Sequence, residues 1–271
     1  MTFEKPILCE DGRILFILPT LGERLSLFEK ALESIAAQKP YLPDIYIVTP
    51  LINNVMKNIA KKYSARLIKD PGGGISIAVN EGIKNAKSSH AYIGWMGDDD
   101  LLRENSIKNT FEALENNKNA VLAFGYCDYI DEKDNIIFTS KAGSIAPWLM
   151  TWGPNLVPLP GILFKADALD KIGLFSESLK YAMDLDALLK LRKYGNFINT
   201  KQTLAAFRWH PDSITVSNRL KSLAEAKKIK RAHMSNNAKK LAPLWEWVVD
   251  IATKYAAKRV NKATTRSLSS K

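Results

Sequence analysis

Apolar runs alternate with amphipathic segments along the first hundred residues. The run 14–18 predicts a buried strand that ends at Pro19, and Leu27, Ala31 and Ile35 then share one face of a predicted helix. Further along, the pattern predicts a strand at 44–48, a helix at 55–63, a strand at 65–68, a helix at about 75–86 and a strand at 91–95. Because parallel neighbours need a crossover, this alternation predicts an α/β fold with a mostly parallel sheet and helices on both faces.

The pattern continues less regularly over the next hundred residues. It predicts a helix at about 106–116, strands at 120–126, 136–138 and 161–164, and helices at 166–172 and 183–194. The segment 148–160 is rich in Pro, Gly and Trp without a clear period, which predicts an ordered loop over a site. We therefore expect one domain over 1–217, with halves at about 13–102 and 103–217, and a helical extension over 218–271.

Charge separates this extension from the domain. The chain has a net charge of +11, and residues 219–271 carry all of it, with 14 Lys or Arg against three acids. One helical face of the extension holds Leu244, Trp247, Val248, Ile251 and Tyr255, with Lys254, Lys258 and Arg259 nearby. Such a face fits an anionic membrane surface, and equally well a contact with the core or with a second subunit. The oligomeric state stays open.

Composition excludes several other classes of protein. No run approaches the roughly 20 apolar residues that span a bilayer, and residues 1–11 lack an apolar export core, so we expect a cytoplasmic protein, peripheral on the inner membrane face if the extension binds lipid. Cys9 and Cys127 stand far apart without a neighbouring Cys or His at metal-ligand spacing, which indicates reduced structural thiols. The basic extension suits nucleic acid, but the neutral first 218 residues offer no basic groove, so nucleic acid is not the expected partner.

Three consecutive carboxylates, Asp98, Asp99 and Asp100, follow the predicted strand 91–95. Ligands of open α/β sheets collect beyond the carboxyl ends of the strands. Adjacent carboxylates repel one another and cost desolvation, so such a cluster is typical of a cation site. Mg²⁺ and Mn²⁺ are commonly held by one or two carboxylates together with phosphate oxygens of a substrate. On spacing alone, a solvated turn that caps the next helix explains the cluster equally well.

Several segments, in order along the chain, resemble the family 2 glycosyltransferases. They are Pro19–Arg24 with Ala31–Ile35 and Gln38, then Gly74–Ile83, then Ala91–Leu102, and then Gly161–Lys165, Gly173–Phe175 and Tyr181–Leu189. The resemblance covers about residues 13–215. It implies a GT-A fold and inverting transfer of a sugar from a UDP-, GDP- or dTDP-sugar to a glycan or lipid-linked acceptor. The implied setting is bacterial-type synthesis of cell-surface polysaccharide or glycolipid.

The resemblance also implies roles for individual residues. The donor-binding residues would be Pro19, Thr20, Glu23, Arg24, Asn80 and Asp98, the last near the ribose. Asp99 would ligate Mn²⁺ or Mg²⁺, and Asp100 would either support the ligands from behind without touching the metal or be an alternative ligand. The segment 207–213, which contains His210, also resembles a late segment of the family. The resemblance leaves three roles for His210: a metal ligand, a contact to phosphate, or no role in the site. Asp184 would be the general base, whereas the neighbouring Asp186 fits a helix N-terminus and is expected to be structural.

Departures from the family pattern leave the nucleobase open. Thr49 and Pro50 follow the second strand, where the family commonly has an acid, and Val79 stands where an Arg is often found. Met183 likewise replaces a frequent Glu before the base. The glycines 72–74 suit a phosphate contact or a plain turn. A metal-dependent nucleotidyltransferase is the alternative enzyme, but the segment after the first strand lacks the Gly-rich loop with Arg and Lys that such enzymes need.

Overall fold

A computed structural model describes residues 12–141, 146–153, 155–209, 219–247 and 251. The strands are β1 Ile14–Pro19, β2 Asp44–Thr49, β3 Arg66–Lys69, β4 Tyr92–Trp95, β5 Leu101–Leu102, β6 Ala120–Ile130, β7 Ile136–Ser140, β8 Leu163–Lys165 and β9 Asn196–Arg208. The helices are α1 Leu25–Ala36, α2 Asn54–Lys62, α3 Ile75–Lys84, α4 Ser106–Glu115, α5 Ala146–Leu149, α6 Ala166–Lys171, α7 Met183–Leu191, α8 Arg219–His233 and α9 Asn236–Leu241.

The nine strands of this described part form one sheet in the order β3-β2-β1-β4-β8-β6-β9-β5, with β7 paired to β6. The first four strands in that order are parallel, as the strand–helix alternation predicts. The sheet becomes mixed at β8, which runs antiparallel to both β4 and β6, while β6 and β9 are parallel. The predicted α/β fold is therefore present, with its parallel portion confined to the N-terminal half and to the β6–β9 pair.

Two hydrophobic cores cover the two faces of the sheet. Successive side chains of a strand point to opposite faces, and β1 is buried along its whole length. Ile14, Phe16 and Leu18 pack with α1, α2 and α4 on one face. Leu15 and Ile17 pack with α3, α6 and α7 on the other face. Burial on both faces explains why this strand reads as a continuous apolar run, as expected for a parallel sheet covered by helices.

The basic extension packs against the domain through α8. Ile229 of α8 is buried in the same core as α7, and Lys230 donates to the backbone carbonyl of Gly153 at 2.6 Å. Trp245, in the helical stretch 243–247, lies 5.5 Å from the ring of Trp152. These contacts tie the start of the extension to the segment 146–153 and to α7. Among the described residues, no helix is long and apolar enough to cross a membrane.

Candidate functional site

An acidic turn follows β4 and lies beside the end of β1. The two strands are parallel neighbours, with Ile17 opposite Trp95, so their carboxyl ends meet at one edge of the sheet. The hydroxyl of Thr20, directly after β1, donates to Asp98 Oδ2 at 2.6 Å. Thr20 itself is held by its own N–H, which donates to the carbonyl of Val48 at the end of β2. Three strand ends therefore position the first carboxylate of the turn.

Arg24 joins the first two carboxylates of the acidic turn. Its guanidinium donates to Asp98 Oδ1 at 2.9 Å and to Asp99 Oδ2 at 2.7 Å. Burial raises the pKa of Asp98, and the hydrogen bonds from Thr20 and Arg24 offset only part of that rise. The predicted donor-binding and metal-binding residues Thr20, Arg24, Asp98 and Asp99 thus form one hydrogen-bonded cluster.

Asp100, the third carboxylate of the acidic turn, is more deeply buried than the first two. Its side chain is buried, and Oδ1 accepts the backbone N–H of Arg208 at 3.0 Å. Burial raises the pKa of Asp100 well above its ordinary range, and the neighbouring Asp99 adds to that effect, whereas the N–H of Arg208 opposes it. This geometry gives Asp100 a structural contact with β9; its assignment as a support behind the metal ligands or as an alternative ligand stays a prediction.

Arg208, the last residue of β9, supports the acidic turn from inside the protein. Its side chain is only 1% exposed. It donates to the backbone carbonyls of Asp99 at 2.9 Å and Asp131 at 2.7 Å, and to the carboxylate of Asp134 at 2.5 Å. Sequence reasoning missed this residue, because a single Arg in an aromatic segment carries no local signal of burial.

Gly97 leaves room between the carboxylates of the turn. A Cβ at this position would lie 3.0 Å from Asp99 Oδ1 and 3.2 Å from Asp100 Oδ2, closer than side chains normally approach. Any other residue here would displace one of these carboxylates. The glycines 72–74 serve a different purpose: all three have positive φ, and Asp70 accepts the N–H of Gly72, so they form a turn.

Asp184 lies in the first turn of α7, outside the hydrogen-bonded cluster. Asp184 is the second residue of that helix. Burial raises the pKa of Asp184, and the carboxylate of Glu225 in α8 raises it further by repulsion, while nearby backbone N–H groups oppose the rise. A raised pKa makes a carboxylate a stronger base, which suits acceptance of a proton from a hydroxyl. Asp186 instead forms an ion pair with Lys190 at 2.7 Å.

The other predicted donor-binding residues lie in three different environments. Pro19 is buried at the end of β1, and Glu23 is exposed just before α1. Asn80 is 2% exposed, and its amide donates to the carbonyl of Phe175 at 2.8 Å and accepts the N–H of Phe175 at 3.1 Å. The structure thus shows Asn80 joining α3 to the segment before α7. His210 lies outside the described residues, as do Val248 and Tyr255 of the predicted apolar face.

The acidic turn fits a divalent cation that a substrate helps to hold. Asp98 and Asp99 supply carboxylate oxygens, the donors that Mg²⁺ and Mn²⁺ prefer, and Gly97 leaves space beside them. Within the described ranges, no group of three or more His, Cys, Asp or Glu side chains could hold a metal.

Comparison with known proteins agrees with this geometry. The family described as glycosyl transferase family 2 matches residues 15–167. An uncharacterized glycosyltransferase from Rickettsia typhi is 31% identical over 212 residues, covering 72% of this chain and 64% of that protein. One from Rickettsia prowazekii is 29% identical over 202 residues, covering 69% of this chain. The chain thus spans less than two thirds of these relatives, 64% and 61% of their lengths.

Two solved structures share the fold. Mannosyltransferase PcManGT from Pyrobaculum calidifontis, in complex with GDP-Man and Mn²⁺, matches with a TM-score of 0.64 and 14% identity, covering 98% of this chain and 78% of that one. S. aureus TarS 1–349 in complex with UDP-GlcNAc matches with a TM-score of 0.63 and 12% identity, covering 85% and 70%. These likenesses confirm the predicted GT-A fold. Because the family match covers more than half of the 271 residues, this chain belongs to glycosyl transferase family 2.

Proposed function

We propose that the chain transfers a sugar from a nucleotide-diphosphate sugar to an acceptor hydroxyl, with inversion at the anomeric carbon. The observation that carries the proposal is the cluster of Thr20, Arg24, Asp98 and Asp99 at the carboxyl ends of β1 and β4. Ligands of α/β sheets bind at such an edge. The donors bound by PcManGT and TarS are nucleotide sugars, which supports the same class of donor here.

The donor end of the site would work by orientation and charge. Thr20 and Arg24 fix the carboxylate of Asp98 by hydrogen bonds on both of its oxygens, so that it can orient a ribose. Asp99 would hold Mn²⁺ or Mg²⁺, and that cation would supply charge neutralisation to a departing nucleoside diphosphate. Arg24, 41% exposed at its side chain, also has the reach to contact a phosphate.

The acceptor end of the site needs a proton acceptor. We assign this role to Asp184, because burial raises its pKa and so strengthens it as a base. A single displacement assisted by one carboxylate inverts the anomeric centre. The reaction rate should therefore rise with pH as Asp184 loses its proton. The acceptor we propose is a glycan or a lipid-linked glycan used in cell-surface polysaccharide or glycolipid synthesis.

A donor screen tests this proposal. The protein would be incubated with UDP-, GDP- and dTDP-sugars, with MnCl₂ or with EDTA, and release of the nucleoside diphosphate would be measured. We expect release from one class of donor, only with metal. Asp99→Asn should lose metal-dependent release about 100-fold or more, whereas Asp184→Asn should bind the donor normally and lose turnover.

The matched control is Asp186→Asn, which removes an acid two residues from the proposed base. Its side chain pairs with Lys190 rather than with the site, so turnover should stay near that of the wild type. Normal turnover by Asp184→Asn would show that another group is the base. Failure to release nucleoside diphosphate from any donor would contradict the transferase proposal itself.

We also propose that the extension rests on an anionic membrane surface. Four apolar side chains of the extension, Leu241, Leu244, Trp247 and Ile251, are 53–69% exposed, so these four are not packed against the described part of the domain. Lys239 and Lys240 lie beside them, and basic residues near anionic lipid contribute about 1 kcal/mol each. Flotation with vesicles of anionic or neutral lipid measures the binding. Trp247→Glu should lower recovery with anionic vesicles. The control Lys171→Gln removes an exposed charge on α6 and should leave recovery unchanged. Equal recovery of Trp247→Glu and wild type would refute membrane binding.

A further inference from the structure

We infer that Glu225, in α8, is a positioning residue for the Asp184 base, an inference that rests on the function proposed above. The carboxylate of Glu225 accepts three successive backbone N–H groups. The N–H of Lys180 donates to Oε1 at 3.1 Å, and those of Tyr181 and Ala182 donate to Oε2 at 2.6 and 2.8 Å. Ala182 immediately precedes α7, and Asp184 is the second residue of that helix.

This contact holds the backbone that leads into α7. The residue at the N-cap position of α7 is Ala182, which has no side chain able to accept a hydrogen bond. The backbone N–H groups before the helix need partners, and α8 supplies one carboxylate for three of them. Asp184 lies two residues after Ala182. The backbone that leads into the base is therefore fixed by a carboxylate that stands 41 positions later in the chain.

The helix that carries Glu225 is itself anchored. Ile229, one turn further along α8, is 5% exposed and belongs to the core that also contains Leu185 and Leu188 of α7. Lys230 holds the carbonyl of Gly153 at 2.6 Å. Because α8 is fixed by packing, its carboxylate can impose a position on the segment before α7 rather than follow it.

Glu225 also acts on Asp184 by charge. The charged groups near the start of α7 include Lys180 just before the helix, Asp186 and Lys190 of α7, and Glu225 and His233 of α8, with a ring nitrogen of His233 3.4 Å from Asp186. Of these, Glu225 is the one that raises the pKa of Asp184, through repulsion added to the larger effect of burial. One side chain therefore contributes to both the place and the basicity of the proposed base.

The test uses the full chain and donor hydrolysis, with UDP-GlcNAc and GDP-mannose among a panel of nucleotide sugars and MnCl₂ present. Glu225→Gln keeps an oxygen that can accept N–H groups but removes the charge. We expect its rate–pH profile to have an acid limb at lower pH than the wild type, because Asp184 then loses a repelling neighbour. Glu225→Ala removes both effects and should hydrolyse the donor about tenfold more slowly, since a displaced base loses its alignment.

Amide hydrogen exchange at residues 180–182 checks the contact independently of turnover. Exchange should speed up in Glu225→Ala and change little in Glu225→Gln. Glu246→Gln is the matched control: it removes an acid of the same extension that pairs with Arg231, and it should leave both the pH profile and the exchange at 180–182 unchanged.

The outcomes separate this inference from the proposed function. If Asp184→Asn loses turnover but Glu225→Gln keeps the acid limb of the wild type and Glu225→Ala keeps its rate, the function stands and the role of Glu225 is overturned. Unchanged exchange at 180–182 in Glu225→Ala overturns it as well. If the wild type hydrolyses none of the donors, the proposed function is refuted, and this inference is refuted with it.

Discussion

Replacing Arg208 with Met tests whether a buried cation holds the acidic turn in place. The guanidinium donates to the backbone carbonyls of Asp99 and Asp131 and to the carboxylate of Asp134, and its side chain is 1% exposed. Met has a similar length and an apolar chain, so the substitution removes the hydrogen bonds and the charge without opening a large cavity. The backbone N–H that Asp100 accepts remains in the variant.

The expected cost follows from these partners. Two carbonyls, that of Asp131 buried and that of Asp99 partly buried, would lose their donors, at about 1–3 kcal/mol each. Asp134 keeps its ion pair with Lys30 and is a third exposed, so the loss of its contact with Arg208 adds little. The total is about 2–6 kcal/mol, a range that includes the usual effect of removing one member of a buried ion pair. In a chain of 271 residues this corresponds to a fall in Tm of about 4–24 °C.

Thermal and urea unfolding measure the change, and Arg13→Met is the control. Arg13 pairs with Glu115, both about 40% exposed, so its removal should cost about 1 kcal/mol or less. Arg208→Met should also weaken binding of a nucleoside diphosphate with Mn²⁺. The variant no longer holds the backbone carbonyl of Asp99, so the acidic turn that carries the proposed metal ligand is less firmly fixed. If Arg208→Met is poorly folded, Arg208→Lys keeps the charge but not the fork of donors and should be intermediate. A Tm within about 2 °C of the wild type for Arg208→Met would refute the reasoning.

Two further predictions concern the two ends of the parallel strands. Gly97→Ala should keep the fold but lower metal-dependent donor binding about tenfold, measured by calorimetry, because the new Cβ would lie 3.0 Å from Asp99 Oδ1; unchanged affinity would contradict this. Burial favours protonation of Asp44, but hydrogen bonds from Lys87 and His90 outweigh it and hold the pKa of Asp44 below its usual range. The stability that Asp44 provides should thus be present above about pH 4 and be lost as pH falls below that. The Tm difference between wild type and Asp44→Asn should shrink on acidification, and a difference independent of pH would disprove it.

The parallel half of the fold was predictable from the sequence because its strands are buried on both faces. β1 is buried throughout, and five of the six residues of β2 are buried, so both read as apolar runs. The longest strand, β9, was not predicted. Its first eight residues are exposed or only partly buried, and they include Asn199, Lys201 and Gln202, so neither an apolar run nor a clean alternation marks it. β9 forms because it pairs in parallel with the buried β6. No local sequence pattern predicts this pairing.

The candidate site divides in the same way. Thr20, Arg24, Asp98 and Asp99 lie next to strand ends, so their meeting follows from the topology once the strands are known. The partners of Arg208 lie 74 to 109 residues away from it. Glu225 lies in a lysine-rich helix, where the sequence pattern suggests a surface acid, although its partners lie in the segment just before α7. Contacts of this kind depend on tertiary packing, which is why the predicted division at residue 217 gives no sign of them.

Two arginines compensate the charge of the acidic turn in different ways, and their burial separates their functions. Arg208 is enclosed and bonded to main-chain carbonyls, so it cannot exchange partners and can only fix the shape of the turn. Arg24 is 41% exposed and bonded to the carboxylates themselves, so a phosphate can compete for it at little cost in desolvation. At Asp184, the proposed base, burial raises the pKa, and repulsion from Glu225 raises it further, where a cation would lower it. If the proposed function is correct, the two arginines compensate charge at the proposed donor end, and the acid beside Asp184 favours the proton transfer that the proposed base must perform.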